Sequence, residues 1–443
     1  MILLPRLLLV PLALAGIGSA GWNYSVAQYF GRIDPADWER SHPCPAAPAA
    51  DPGEHRVALL STRQIVPAVG LPAQAVTLRA NNNLDVVRHD GRVFLAWRTS
   101  TTHFAGPEAA VNVVSSTDEE HWRFETRITT GADLREPRFL SLNGKLMLYM
   151  ARLGSDPFAF EPQGISVSER TSKGAWTSLQ TVGPKGFIVW RLRVLNGRAL
   201  MVGYTGGENL YKFDGNPMQV QMLASMDGYD WQPAFGTDPV VLQGGGSETD
   251  FNVSPAGKLF AVVRNEAGDK DGYGSKLCTA EAEKLGVWKC RPDPKKYDSP
   301  LVFNHDGETF LIGRRNVTDT GNYDVSTGPR LWRVIRNELA YISSAKRCAL
   351  WRWDEGKGRM AFLMDLPSRG DTCFASVIPS SEPDQVIVYD YSSDINGPDL
   401  PWAAGQRRDT FVYRHVLRFA KDSNPTNQQA EAPPLSPAPT AGG

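Results

Sequence analysis

Five carboxylates, Asp85, Glu136, Glu248, Asp250 and Asp298, stand at the openings of strand-like runs that lead through a turn to a second apolar run. Acids that open successive strands of a repeated chain converge in space, and converging carboxyls can divide proton donation from nucleophilic or base work. Hydrolysis of a glycosidic bond asks for that division, with the carboxyls about 5 Å apart for retention and about 6.5–9.5 Å apart for inversion. Glu248 is expected at the centre, because Asp250, two positions on, shares its strand face, and like charges so close raise one pKa. Glu136 and Asp85 are its expected partners. Arg135, Arg191 and Arg264 lie at the same openings, where guanidiniums can hold a substrate anion or orient an acid through paired hydrogen bonds. Trp190, Tyr211, Tyr273 and Tyr297 stand nearby and could stack on a sugar, although large rings at such positions also fill cores. Cys and His residues do not fall at metal-ligand spacing, so neither a metal nor a cofactor is expected.

The elements that must position these residues form a ladder. Turn glycines at 91, 144, 197, 257 and 307 give steps of 53, 53, 60 and 50 residues. A polar strand start precedes each glycine and an apolar strand follows it, as in 82–90 followed by 93–97, or 135–139 leading to Gly144 and 146–149. A sixth, looser copy uses 373–378 and 386–389. Units of this length hold four short antiparallel strands, and periods in this range mark propeller blades. The expected fold is therefore all-β, a six-bladed β-propeller over residues 55–420 without a long helix. Five blades is the alternative, because an insertion between Arg315 and Arg347 blurs the end of the fifth unit. Pairing of 57–60 with 411–417 is expected to join the chain ends. The first strand of each blade lines a central channel, which brings the acids to one mouth.

The composition agrees. In 443 residues, 47 Lys and Arg balance 48 Asp and Glu to a net charge of −1, unlike the basic surplus with which nucleic-acid binders neutralise phosphates. Hydrophobic residues at 42% supply a core, while 41 Gly and 32 Pro supply turns between many short strands. Residues 1–20 read as a signal peptide: Arg6, an apolar stretch over 7–17 too short to span a bilayer, then Gly18-Ser19-Ala20. The protein is expected to be exported, secreted to the extracellular space or periplasm, with no transmembrane segment after cleavage, and to act as a monomer on carbohydrate. Export suits the cysteines, of which Cys278 with Cys290 and Cys348 with Cys373 are expected to form local disulfides, leaving Cys44 unpaired. Residues 21–54 read as a linker and 421–443 as a disordered Pro/Ala-rich tail.

Two segments carry a further signature, Ser116-Thr117-Asp118 leading to Trp122 and Ser225-Met226-Asp227-Gly228 leading to Trp231. They resemble the Asp-box hairpins of sialidase-like propellers. The run from Gly246-Ser247-Glu248-Thr249-Asp250 to Arg264-Asn265 resembles the sialidase blade in which a Glu opens the inner strand and an Arg ends the next. In that family the Glu polarises a nucleophilic Tyr and the Arg belongs to a triad that clamps the sialic-acid carboxylate. The family's first Arg opens blade one in a Phe/Tyr-Arg-Ile-Pro motif, where this chain has Asn82-Asn83-Leu84-Asp85, and Asp298-Ser299-Pro300 stands where blade five would supply another. Arg135-Glu136-Pro137 looks like the Arg-Asp-Pro opening of arabinanase and invertase propellers, with Glu in place of Asp. The resemblance implies a secreted glycoside hydrolase working through carboxylates at the propeller mouth. The alternatives are a non-catalytic glycan-binding or scaffold propeller and a true exo-sialidase with a rearranged arginine clamp.

Overall fold

Asn-Gly and Asp-Gly pairs organise the chain. At Asp90-Gly91, Asn143-Gly144, Asn196-Gly197 and Asp306-Gly307 both residues have positive φ, between 47° and 81°. This is the type I′ geometry whose twist matches that of the flanking strands, so each pair closes a two-residue hairpin. The registers agree, with His89 opposite Arg92 and Leu142 opposite Lys145. The structure is a computed structural model that describes Gln28 and residues 32–53, 55–209, 217–323 and 328–421. The signal-peptide reading, Tyr211 and residues 422–443 lie outside the described residues.

Among the described residues, the strands form one eight-stranded, one five-stranded and three four-stranded sheets. The first repeat is Ala80–His89, Arg92–Ser100, Ala110–Ser116 and Arg123–Ile128; the second runs from Leu134–Leu142 to Gln180–Val182. The third, fourth and fifth begin with Ile188–Leu195, Gly246–Val253 and Asp298–His305. The eight-stranded sheet joins the first repeat to a sixth, built from Ser376–Pro379, Gln385–Ser393, Thr410–Lys421 and His55–Val66, through a single parallel bridge between Ala80 and Thr410. The two ends of the chain pair as expected: His55–Val66 runs antiparallel to Thr410–Lys421 from His55 opposite Lys421 to Val66 opposite Val412.

Apolar side chains that alternate along the strands pack between neighbouring sheets. One cluster joins the first repeat (Phe94, Val111) to the second (Leu146, Met150), and others fill the second-to-third, third-to-fourth, fourth-to-fifth and fifth-to-sixth gaps. A further cluster packs Leu84, Val86 and Trp97 of the first repeat on Ile387, Tyr389 and Val412 of the sixth. The two Ser-x-Asp segments form tight turns. The Asp118 carboxylate accepts the N–H groups of Glu120 and His121, that of Asp227 accepts those of Tyr229 and Asp230, and Trp122 and Trp231 are buried beside them.

Both expected disulfides are present and Cys44 is unpaired. Cys278–Cys290 ties adjacent strands of the fourth repeat, and Cys348–Cys373 ties the fifth repeat to the segment entering the sixth. Because the first bond closes a loop of 12 residues, its entropic effect on the unfolded chain is about 3 kcal/mol. We expect Cys278→Ser/Cys290→Ser to lower unfolding free energy in a denaturant titration by up to that amount, and a variant as stable as wild type would show that the strand pair needs no tie.

Two expectations need correction. The insertion between Arg315 and Arg347 carries a 14-residue helix, Arg330–Ser343. Its apolar residues Leu331, Val334, Ile335, Leu339 and Ile342 follow helical spacing, a signal that a strand-period reading passes over. The expected linker, in its described part, contains the helix Pro35–Ser41, capped by Asp34, and is docked: Arg359 pairs with Asp51 at 2.6 Å, and Ile33 and Trp38 join an apolar cluster. That cluster also takes Tyr341 and Ile342 of the long helix, Phe104, Leu400 and Trp402. These insertions build a cap over one end of the inner strands. Among the described residues no helix is long and apolar enough to cross a membrane.

Candidate active site

The inner strands of the first five repeats are bulged at their openings. The inner strand holds one residue more than its partner between Asn82 and Leu84, Arg135 and Arg138, Val189 and Arg191, Gly246 and Thr249, and Asp298 and Leu301. A bulge leaves a residue out of the ladder, bends the strand and re-aims the side chain. Asn83, Glu136 and Ser299 adopt φ of 43°, 51° and 50° at these points, a conformation that non-glycine residues hold only when their surroundings enforce it. Asn83, Glu136, Glu248 and Ser299 are thereby turned into one cleft of about 150 Å³, together with Phe374 of the sixth repeat.

Glu136 and Glu248 occupy contrasting surroundings in this cleft. Glu136 accepts from Asn83 Nδ2 at 3.1 Å. Burial, reinforced by the nearby Glu248 charge, outweighs Arg138 and Arg135 and pushes its carboxyl up to about 7. Glu248 is surrounded by donors: Arg264 Nη1 at 2.7 Å, the Ser299 backbone N–H at 2.8 Å and the Ser299 hydroxyl at 3.3 Å. Arg264 also holds Glu266 through Nη2 at 2.9 Å and lies 3.4 Å through Nε from Asp298. Burial raises Glu266 against the pull of Arg264. One guanidinium therefore links three carboxylates. Arg135 lines the cleft with its Nε 2.6 Å from Asp133 and its Nη2 donating to the His103 carbonyl.

The other acids of the sequence reading are set deeper and do not line the cleft. Asp85 follows the bulge residue Asn83 by two positions, and Asp250 follows Glu248 by two. Each accepts the N–H three residues beyond the next repeat's cleft-facing residue, Phe139 for Asp85 and Val302 for Asp250, both at 2.8 Å. They staple neighbouring sheets, and Asp85 also takes the Ser376 hydroxyl of the sixth repeat at 2.6 Å. Arg191 lies between them, with Nε 3.1 Å from Asp250 and Nη1 3.7 Å from Asp85. Asp298 is fully buried beneath Arg264; burial opposes its ionisation, but Lys296, Arg264 and Arg314 outweigh it and hold its carboxyl below the usual range. Trp190 is 1% exposed and offers no face to a ligand. Its Nε1 reaches Pro300 O of the fifth repeat at 3.1 Å, and its ring lies beside Phe374 and the Arg138 guanidinium. Tyr273 and Tyr297 are likewise buried in apolar clusters.

Several cleft residues were invisible to strand-opening logic because they lie on second strands or in the cap. Arg314 donates to Thr372 O at 3.1 Å and Ser299 Oγ at 3.0 Å while its guanidinium lies 4.8 Å from the Trp402 ring centre. His103 lies in the loop after the first repeat's second strand, with Nδ1 2.7 Å from the buried Asp371 carboxylate. Asp371 is also held by Tyr391 Oη and Trp402 Nε1, each at 3.0 Å. Burial lowers the His103 pKa, aided by Arg135 and Arg98, against the attraction of Asp371. A neutral imidazole with Nδ1 turned to a carboxylate presents Nε2 as a proton acceptor. Only the lone loop histidine between two strand runs could have flagged it.

No protein-family model and no curated sequence matches the chain. Solved structures share its fold, and it is the β-propeller fold of the sialidases. Phage phi92 endosialidase superposes with a TM-score of 0.54 at 9% identity, over 86% of this chain and 72% of its own. A Dyadobacter fermentans protein of unknown function gives 0.53 at 12% identity over 82% and 99%. Trypanosoma rangeli sialidase in complex with 2,3-difluorosialic acid gives 0.50 at 14% identity over 77% of this chain, which spans 54% of that enzyme.

Proposed function

We propose that this chain is an exported six-bladed propeller that hydrolyses glycosidic bonds in an extracellular glycan. The observation that carries this reading is the pairing of Glu136 and Glu248 in one cleft, the first with its carboxyl raised to about 7 and the second ringed by donors. Two carboxyls in opposed environments are the pattern of an acid and its charged partner. Glu136, protonated, gives its proton to the oxygen of the departing sugar as the glycosidic bond breaks. Glu248, which comes from the fourth repeat rather than the second, carries the charge that stabilises the positive anomeric carbon until a water adds to that carbon and gives its proton back to the ionised Glu136. Phe104 and Trp402 supply flat faces for a sugar ring. Glycan chemistry on this fold is supported by the sialidase and endosialidase neighbours.

A non-catalytic glycan-binding propeller is the rival, and one observation favours it: both oxygens of Glu248 are engaged by Arg264 and Ser299. The two are separated by screening the purified protein against neutral and acidic polysaccharides and sialosides, alongside Glu248→Gln. We expect release of reducing sugar from at least one substrate and a loss of roughly 10²-fold or more in the variant. Binding without turnover in the wild type supports the rival, and turnover that survives the substitution unchanged removes Glu248 from the site.

A further inference from the structure

We infer that the cleft selects a neutral sugar and discriminates against glycans that present a carboxylate, such as those ending in sialic or uronic acid. This rests on the reading of the cleft as a glycan site and adds the class of glycan. The cleft has three arginines, and a carboxylate clamp needs guanidinium edges that are open to the ligand. Here each is already hydrogen-bonded within the protein. Arg264 spreads its nitrogens over Glu248, Glu266 and Asp298, at 2.7, 2.9 and 3.4 Å. Arg135 spends Nε on Asp133 and Nη2 on the His103 carbonyl. Arg314 donates from both Nη atoms, to Thr372 O and Ser299 Oγ, and its guanidinium carbon lies over the Trp402 ring.

The charges do not leave a positive surplus for an acid either. With Glu136 in its protonated form, Glu248 and Glu266 line the cleft against the three arginines. Asp133, Asp298 and Asp371 stand behind them, fully buried, against Arg98 and Lys296. An incoming carboxylate would have to displace a protein carboxylate from Arg264 while facing Glu248, and a like charge at such range is repelled strongly in a partly dehydrated site. A neutral sugar meets no such cost. Its hydroxyls can be met by Asn83, Ser299 and Gln406 and its apolar face by Phe104 or Trp402, a combination of few polar groups and flat rings suited to an uncharged ring.

The test is direct binding by calorimetry to matched oligosaccharide pairs, each a neutral chain of arabinose, xylose, galactose or glucose units and the same chain ending in a sialic or uronic acid. We expect the neutral member of at least one pair to bind tenfold or more tightly than its acidic counterpart. Glu266→Gln, which frees one edge of Arg264, should narrow that ratio by improving the acidic ligand. Equal or tighter binding of the acidic members, or no binding of any neutral chain, overturns the inference. Neutral chains that bind but are never cleaved sink the hydrolase reading and leave this one standing, whereas cleavage of a sialoside or uronide supports the hydrolase reading and overturns this one.

Discussion

Glu136→Gln is expected to lower turnover about 10²- to 10⁴-fold while leaving saccharide affinity within a few-fold, because removing a positioned proton donor costs the transition state and not the bound ground state. Gln retains the shape of the side chain and can still meet Asn83 Nδ2 through its carbonyl oxygen. The pH dependence gives a second readout. With its carboxyl raised to about 7 by burial and by Glu248, Glu136 holds the required proton below that pH and loses it above. Wild-type turnover is therefore expected to decline through the neutral range, approaching tenfold per pH unit on the alkaline side. The residual activity of the variant should lack that limb. A variant with full turnover, or a wild type equally active at pH 6 and pH 9, would take the acid role away from Glu136.

Asp133→Ala is expected to destabilise the protein by about 3–5 kcal/mol, since it leaves a buried guanidinium unpaired. Arg98 and Asp133 are both fully buried, with Nε and Nη2 of the arginine 2.6 and 3.1 Å from the carboxylate. The same guanidinium donates to the carbonyls of Thr102 and Phe104, so it also fixes the loop that carries His103 to the cleft. Burial opposes the charge on Asp133, but Arg135 and Arg98 outweigh it and hold the carboxyl below its usual range. A carboxyl depressed in this way stabilises the fold above its unfolded value near pH 4, and that contribution is lost as pH falls through the lower folded value. Denaturant titration at pH 7 checks the magnitude. A loss under 1 kcal/mol would mean that water or a shifted loop replaces Asp133.

Individual residues show how far the chain could be read before it was folded. Glu136 and Glu248 were legible as cleft residues because each opens a strand that ends in a turn at fixed distance, and the bulge then turns both inward. Asp85 and Asp250 carry the same sequence signal. A bulge at the strand opening separates the layers: the residue thrown out of the ladder faces the cleft, and the one two positions on faces the next sheet, where its carboxylate finds a backbone N–H. Trp190 stands at a bulge as well but turns across the centre to Pro300. His103, Arg314, Asp371 and Trp402 had no strand-opening pattern to announce them, because they come from second strands, cap loops and the segment before the sixth repeat.

The sequence alone determined what depends on neighbours along the chain. Asn-Gly and Asp-Gly pairs require left-handed backbone and so set the hairpins. Their spacing sets the repeat, strand alternation sets which face is apolar, and cysteines close in sequence set the disulfides. Only the tertiary structure decided how charge is shared, because partners also come from another sheet: Arg264 of the fourth repeat reaches Asp298 of the fifth, and Arg98 in the first repeat neutralises Asp133 at the entry to the second. The strength of such pairs depends on burial and distance, neither of which a linear spacing contains. For the same reason the cap, assembled from the N-terminal helix, the insertion helix and the segment around Trp402, exists only once residues hundreds of positions apart are packed into one apolar cluster.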